Sequence, residues 1–166
     1  MIRFPRKSRF LMLTTLLLVP ANLFSAQPPQ SAADVNVSGS LAADKVKRGR
    51  AAQASVVVDI PSGLHVQSNR PLDKFLIATK LEVEAPQGLR VGPVSYPRAL
   101  VRKLKFSKTP VAVYEGRAVL RFSITVPANF SSNLAEVKAK LRFQACNDDA
   151  CFPPQTREVT LRVNIE

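Results

Sequence analysis

Two cysteines stand close together in FQACNDDACFPP, Phe143 to Pro154: Cys146 and Cys151, the only two in 166 residues. Three chemistries suit such a pair. Structural zinc takes four ligands from Cys and His. The chain offers two Cys and one distant histidine, His65, so Asp148 or Asp149 would have to complete the set. A structural disulfide is the second. In the chain-entropy account a loop of about six residues is worth about 2 kcal/mol, against about 4–5 for a hundred-residue loop. The third is a redox dithiol, in which one thiol resolves the mixed disulfide that the other has made.

The surroundings bear on the choice. Asp148 and Asp149 lie between the cysteines, and negative charge disfavours a thiolate. Thiols there should be sluggish alone, which suits a disulfide attacked by a partner's thiolate. Arg142 and Arg157 are the nearby residues able to offset that charge. After Cys151 come Phe152, Pro153 and Pro154; prolines donate no backbone hydrogen bond and hold an extended path. With Phe143 and Ala145 inward on a strand, Cys146 falls on the outward side. The pair is therefore expected on a stiff, exposed rim, with staple and redox carrier both open.

The amino terminus sets the compartment. Arg3, Arg6, Lys7 and Arg9 precede an apolar run from Phe10 to Val19, closed by Pro20 and followed by Ser25 and Ala26. This pattern reads as a signal peptide over 1–26, and ten apolar residues are too few to span a bilayer. No stable membrane span is expected after cleavage. In an oxidising compartment the even count makes a Cys146–Cys151 disulfide the default. The chain carries a formal net charge of +12, or +8 once those four basic residues are set aside. Export, scattered basic residues and the lack of an RNA-binding signature argue against nucleic acid. A solvated basic face, or one that meets an acidic protein, fits better.

The elements that must position the pair are strands. Residues 27–50, rich in Ala, Ser, Pro and Gln at their start, read as a flexible leader; 51–166 reads as the folded domain. ASVVVDI (Ala54 to Ile60) and FLIATKLEVEA (Phe75 to Ala85) are strand-like, and LRVGPVSY is broken by Gly92-Pro93 as at a sheet edge. In VYEGRAVLRFSITVP, Ala118, Leu120, Phe122, Ile124 and Val126 share one face, the period of two of a half-buried strand. Ala135 to Ala145 and Arg157 to Glu166 repeat it. Roughly eight short strands with turn signals between them predict an all-β, immunoglobulin-like antiparallel sandwich. The close cysteines are not the distant inter-sheet pair of antibody domains. His65 has no carboxylate or thiol beside it in sequence and reads as a structural or surface residue.

The cysteine loop also resembles a known family. Phe143-Gln144-Ala145-Cys146 followed by Cys151-Phe152-Pro153-Pro154 is similar to the motif of the amino-terminal periplasmic domain of DsbD, the thiol:disulfide interchange protein, and GLHVQSNRPLDKFLIATKLEVEAPQG and KFSKTPVAVYEG resemble its earlier strands. The resemblance covers roughly Ala52 to Ile165. It implies an immunoglobulin-like fold and a periplasmic protein-disulfide reductase. Such a module takes electrons from a thioredoxin-like donor and passes them to oxidised periplasmic thiol–disulfide proteins. It implies that Cys151 forms the mixed disulfide, that Cys146 resolves it, and that Phe106 in LKFSK is the aromatic of a short cap loop. No cofactor or metal beyond the cysteines is implied. Lys103, Lys105 and Lys108 surround Phe106 where the family carries acidic residues. The sequence ends at Glu166 without the family's membrane and thioredoxin domains, so a separate electron donor is expected. The alternative is a non-catalytic immunoglobulin-like binding module whose disulfide is structural.

Overall fold

The computed structural model describes residues 31–166; the expected signal peptide and residues 27–30 lie outside them. After a short 3-10 turn at Ala32–Asp34, the strands are β1 (Asn36–Leu41), β2 (Lys45–Val46), β3 (Ala51–Ile60), β4 (His65–Gln67), β5 (Lys80–Glu84) and β6 (Arg90–Val91). They continue as β7 (Leu100–Arg102), β8 (Val111–Tyr114), β9 (Gly116–Thr125), β10 (Leu134–Phe143), β11 (Ala145–Cys146) and β12 (Gln155–Ile165). One sheet has the order β1-β3-β9-β6 and a second β2-β12-β10-β5. A smaller third sheet, β11-β4-β8-β7, carries the first cysteine. All pairings are antiparallel except that of β2 with β12.

The core follows from the alternation. In the first sheet Ala54 faces Phe122 and Val56 faces Leu120 across the β3–β9 pair. In the second, Val137 lies opposite Leu161, and Leu141 opposite Leu81. These side chains are buried in one cluster joining both sheets, while Lys138, Lys140, Glu82 and Glu84 stay in solvent, where Lys140 pairs with Glu84 at 2.8 Å. Two sheets closing their apolar faces on one another make an immunoglobulin-like antiparallel sandwich.

Four expectations change. The supposed leader is structured: β1 pairs with β3 from Asn36↔Asp59 to Leu41↔Ala54, and β2 pairs with β12. Val35 and Val46 are buried in the core. Small polar residues fill most of β1, so its pattern is thin; its stability comes from completing the edge of β3. Gly39 lies so close to β12 that a Cβ there would sit 2.7 Å from Leu161 Cδ2. Second, the strand expected over 75–85 is only β5, and Phe75 is 78% exposed in the preceding loop. Third, the stretch from Val113 to Val126 divides at Gly116, whose φ of 62° turns the chain from the third sheet into the first. Fourth, the alternation that runs through Phe143 does not continue to the cysteine.

Leu141 is fully buried on the central strand β10. Leu141→Ala is expected to destabilise by about 2–5 kcal/mol. Leu134→Ala, at a half-exposed position of the same strand, should change stability by about 0.5 kcal/mol or less. Urea unfolding followed by circular dichroism measures both.

Candidate functional site

Strand β10 ends at Phe143, and at Gln144 the chain changes partners. Its next two residues, β11, pair with β4 in the third sheet: Ala145 opposite Val66 and Cys146 opposite His65. The period of two breaks there, so Cys146 does not stand outward on a rim; it is wholly buried. Cys151 is half-buried. The sulfurs form a closed disulfide, S–S 2.02 Å. Exposure is therefore split between the two cysteines.

Local hydrogen bonds fix the loop. Asn147 N donates to Ala150 O at 2.9 Å, and Asn147 Oδ1 accepts from Asp149 N and Ala150 N. This is the side-chain-mimicked turn that Asn favours. On the far side, Phe152 N donates to Ala145 O at 2.8 Å. Gln144 spans the junction: its Nε2 donates to Phe152 O at 3.3 Å, and its Oε1 accepts from Ile77 N at 3.0 Å. Phe152 packs against the main core, while Pro153 and Pro154 are exposed.

The β7–β8 hairpin meets this loop. Its connection holds Phe106, half-buried against the cluster of Leu104, Val111 and Val113, on which Leu76 also packs. Asp148 O accepts two backbone bonds from it, from Lys105 N at 2.9 Å and Phe106 N at 3.3 Å. Lys105 Nζ pairs with Asp149 Oδ1 at 3.3 Å. Among the described residues, the side-chain partners of Asp148 and Asp149 are thus His65 and Lys105, not the sequence neighbours Arg142 and Arg157.

His65 acquires partners that its sequence neighbourhood does not show. Its Nδ1 lies 2.9 Å from Glu115 Oε1 and its Nε2 3.1 Å from Asp148 Oδ1. A neutral ring donates at one nitrogen only, so both bonds are complete in the imidazolium. Glu115 in turn takes two bonds from Arg102, each 2.8 Å. The chain Arg102–Glu115–His65–Asp148 connects β7, the β8–β9 turn, β4 and the cysteine loop. Gln67, two residues along β4, is wholly buried and sends Nε2 to within 3.2 Å of Cys146 Sγ. Sequence reasoning missed Gln67, Glu115 and the pairing of His65 because their partners lie 50 to 83 residues away.

The chain matches a family. The family model described as thiol:disulfide interchange protein DsbD, N-terminal, matches residues 29–163. Among solved structures, the reduced DsbD N-terminal domain of Neisseria meningitidis is similar at 20% identity, covering 78% of this chain and 85% of that one, with a TM-score of 0.47. The N-terminal periplasmic domain of ScsB from Proteus mirabilis is similar at 10% identity, covering 76% and 44%, with a TM-score of 0.49. No curated protein matches.

Glu115 is held below the usual carboxylate range, first by the Arg102 hydrogen bonds and then by His65; burial works against both. A carboxyl depressed in the folded state adds stability that is present above the unfolded value and lost as pH falls through the lower folded one. Glu115→Gln should therefore lower the thermal midpoint at pH 7. The gap from wild type should close as pH falls from about 4.5, the ordinary value, through the depressed one. Thermal unfolding across that range reads it.

Proposed function

The chain belongs to the family of N-terminal domains of the thiol:disulfide interchange protein DsbD, and from that premise we propose that it is a periplasmic thiol–disulfide exchange module. It relays electrons from a thioredoxin-like donor to oxidised periplasmic proteins through Cys146 and Cys151. The observation that carries this reading is the asymmetry of the pair: Cys151 is partly exposed and Cys146 is wholly buried. A thiolate from outside attacks the accessible sulfur.

Loading proceeds in two steps. The donor's thiolate attacks Cys151 Sγ; the Cys146–Cys151 bond breaks, and its electron pair leaves on Cys146 Sγ. The donor's second thiol then attacks its own sulfur in the mixed disulfide and releases Cys151, so the donor is oxidised and the pair here is reduced. Delivery runs in reverse: Cys151 attacks the acceptor's disulfide and Cys146 resolves the mixed disulfide. Both transfers move two electrons, and no cofactor takes part.

The loop around Phe106 acts as the cap. Its backbone is bonded to the Asp148 carbonyl, so opening the cap means breaking those two bonds and the Lys105–Asp149 pair. Phe152 and Pro153 stiffen the other side of Cys151, and Asp148 and Asp149 keep the resting thiols unreactive until a partner arrives. The burial of Cys146 also favours a second reading, an immunoglobulin-like binding module with a structural disulfide. On that reading replacing the cysteines lowers stability and leaves binding intact.

Three variants test the proposal with a small oxidised protein as acceptor and a thioredoxin as donor. Cys151→Ser should abolish exchange. Cys146→Ser should accumulate a mixed disulfide through Cys151, visible by non-reducing electrophoresis and mass. Phe106→Ala should speed reduction by a small thiol such as glutathione several-fold, because the cap no longer screens Cys151. Cysteine variants that leave all exchange unchanged would exclude the relay.

A further inference from the structure

Gln67 is a wholly buried polar side chain in the apolar interior of the third sheet. Its backbone is pinned on both sides: Gln67 N donates to Gln144 O at 2.9 Å, and Gln67 O accepts from the Thr79 hydroxyl. The side chain is therefore aimed at the disulfide. Nε2 lies 3.2 Å from Cys146 Sγ and 4.0 Å from Cys151 Sγ. At its other end Oε1 is buried with no donor among the described residues. A buried carbonyl left without a donor has lost its hydration and gained nothing in return. An apolar side chain of the same size would avoid that cost.

Reduction supplies what the disulfide withholds. Disulfide sulfur is a weak acceptor for Nε2 and has no hydrogen for Oε1. Once the S–S bond breaks, Cys146 Sγ is a thiolate or a thiol. A thiolate takes a stronger, charge-assisted bond from Nε2. A thiol gives its hydrogen to Oε1 after a half-turn of the amide. One carboxamide serves both forms, and among the described residues no other side chain donates to either sulfur.

We propose that Gln67 is a catalytic residue of the exchange reaction, receiving the Cys146 sulfur as it leaves and favouring the reduced pair. The inference rests on the exchange reading above. When the donor thiolate bonds to Cys151 Sγ, the electron pair of the broken S–S bond moves to Cys146 Sγ. That sulfur is out of contact with solvent. Gln67 Nε2 takes over the stabilisation that water gives an exposed leaving thiolate. The same bond in reverse holds Cys146 in place to resolve the mixed disulfide.

Two substitutions test it in the purified protein. Gln67→Met keeps the length and removes both the N–H donor and the carbonyl of the amide. Gln67→Leu likewise removes the donor and the carbonyl, with a shorter side chain. Thermal unfolding checks that each is folded, and either one suffices if the other is not. The readouts are the rate of disulfide reduction by dithiothreitol and the equilibrium with glutathione. Gln67→Met should be reduced about tenfold more slowly. Its equilibrium should move about tenfold towards the disulfide, which is about 30 mV more negative. Gln67→Leu should show the same slowing and the same shift. A folded variant that keeps both rate and equilibrium within about twofold of wild type would show Gln67 to be packing alone and overturn the inference. Wild-type protein that exchanges with neither thiol would sink the exchange reading, and the inference with it.

Discussion

The change of partners at Gln144 is the constraint on which the rest depends. Strand β10 belongs to the main sandwich through Phe143. Two residues later the same chain is paired with β4 in a different sheet. That handover takes Cys146 out of the alternation and into the interior. It also sets Cys146 opposite His65 and brings Gln67 within reach of the sulfur. Gln144 holds the handover in place with its side chain, tying Phe152 O to Ile77 N across the junction. Residues far apart in the chain thus meet at one short pairing.

The cysteine loop is held from outside as well as from beneath. Its Asp148 contributes a carbonyl to the β7–β8 connection and a carboxylate to His65. Most of the core comes from β3, β9, β10 and β12, and a loop this short adds about 2 kcal/mol of chain-entropy stabilisation. The small third sheet is packed onto the two-sheet body, with Val66, Tyr114 and Ala145 in the same core. Rigid elements beneath and a bonded loop above are what a preorganised exchange site calls for.

Legibility in the sequence tracks the range of the interactions. The inward faces of β9, β10 and β12 are plain in the alternation of Leu120, Phe122, Ile124, Val137, Leu141 and Val163, because burial of one sheet face is a local, period-two signal. The sandwich follows from it, and the cysteine motif, a local run of residues, carries the family resemblance. Strand β1 is faint because Ser38, Gly39 and Ser40 carry no apolar stripe; backbone pairing to β3, a non-local contact, makes it a strand. Parity puts Cys146 outward because it assumes an unbroken strand, and nothing local to Gln144 announces a change of sheet. Gln67 and His65 look ordinary in GLHVQSNRP, since their partners Cys146, Asp148 and Glu115 arrive only through tertiary pairing.

The central claim is that the Cys146–Cys151 couple exchanges electrons rather than stapling a loop. Its midpoint potential tests that most directly: the purified protein is equilibrated in glutathione or dithiothreitol buffers, its thiols are alkylated, and the oxidised fraction is read by mass. A midpoint between about −180 and −270 mV, where thiol carriers lie, is the predicted result. A midpoint below about −300 mV, the range of structural disulfides, would contradict the account.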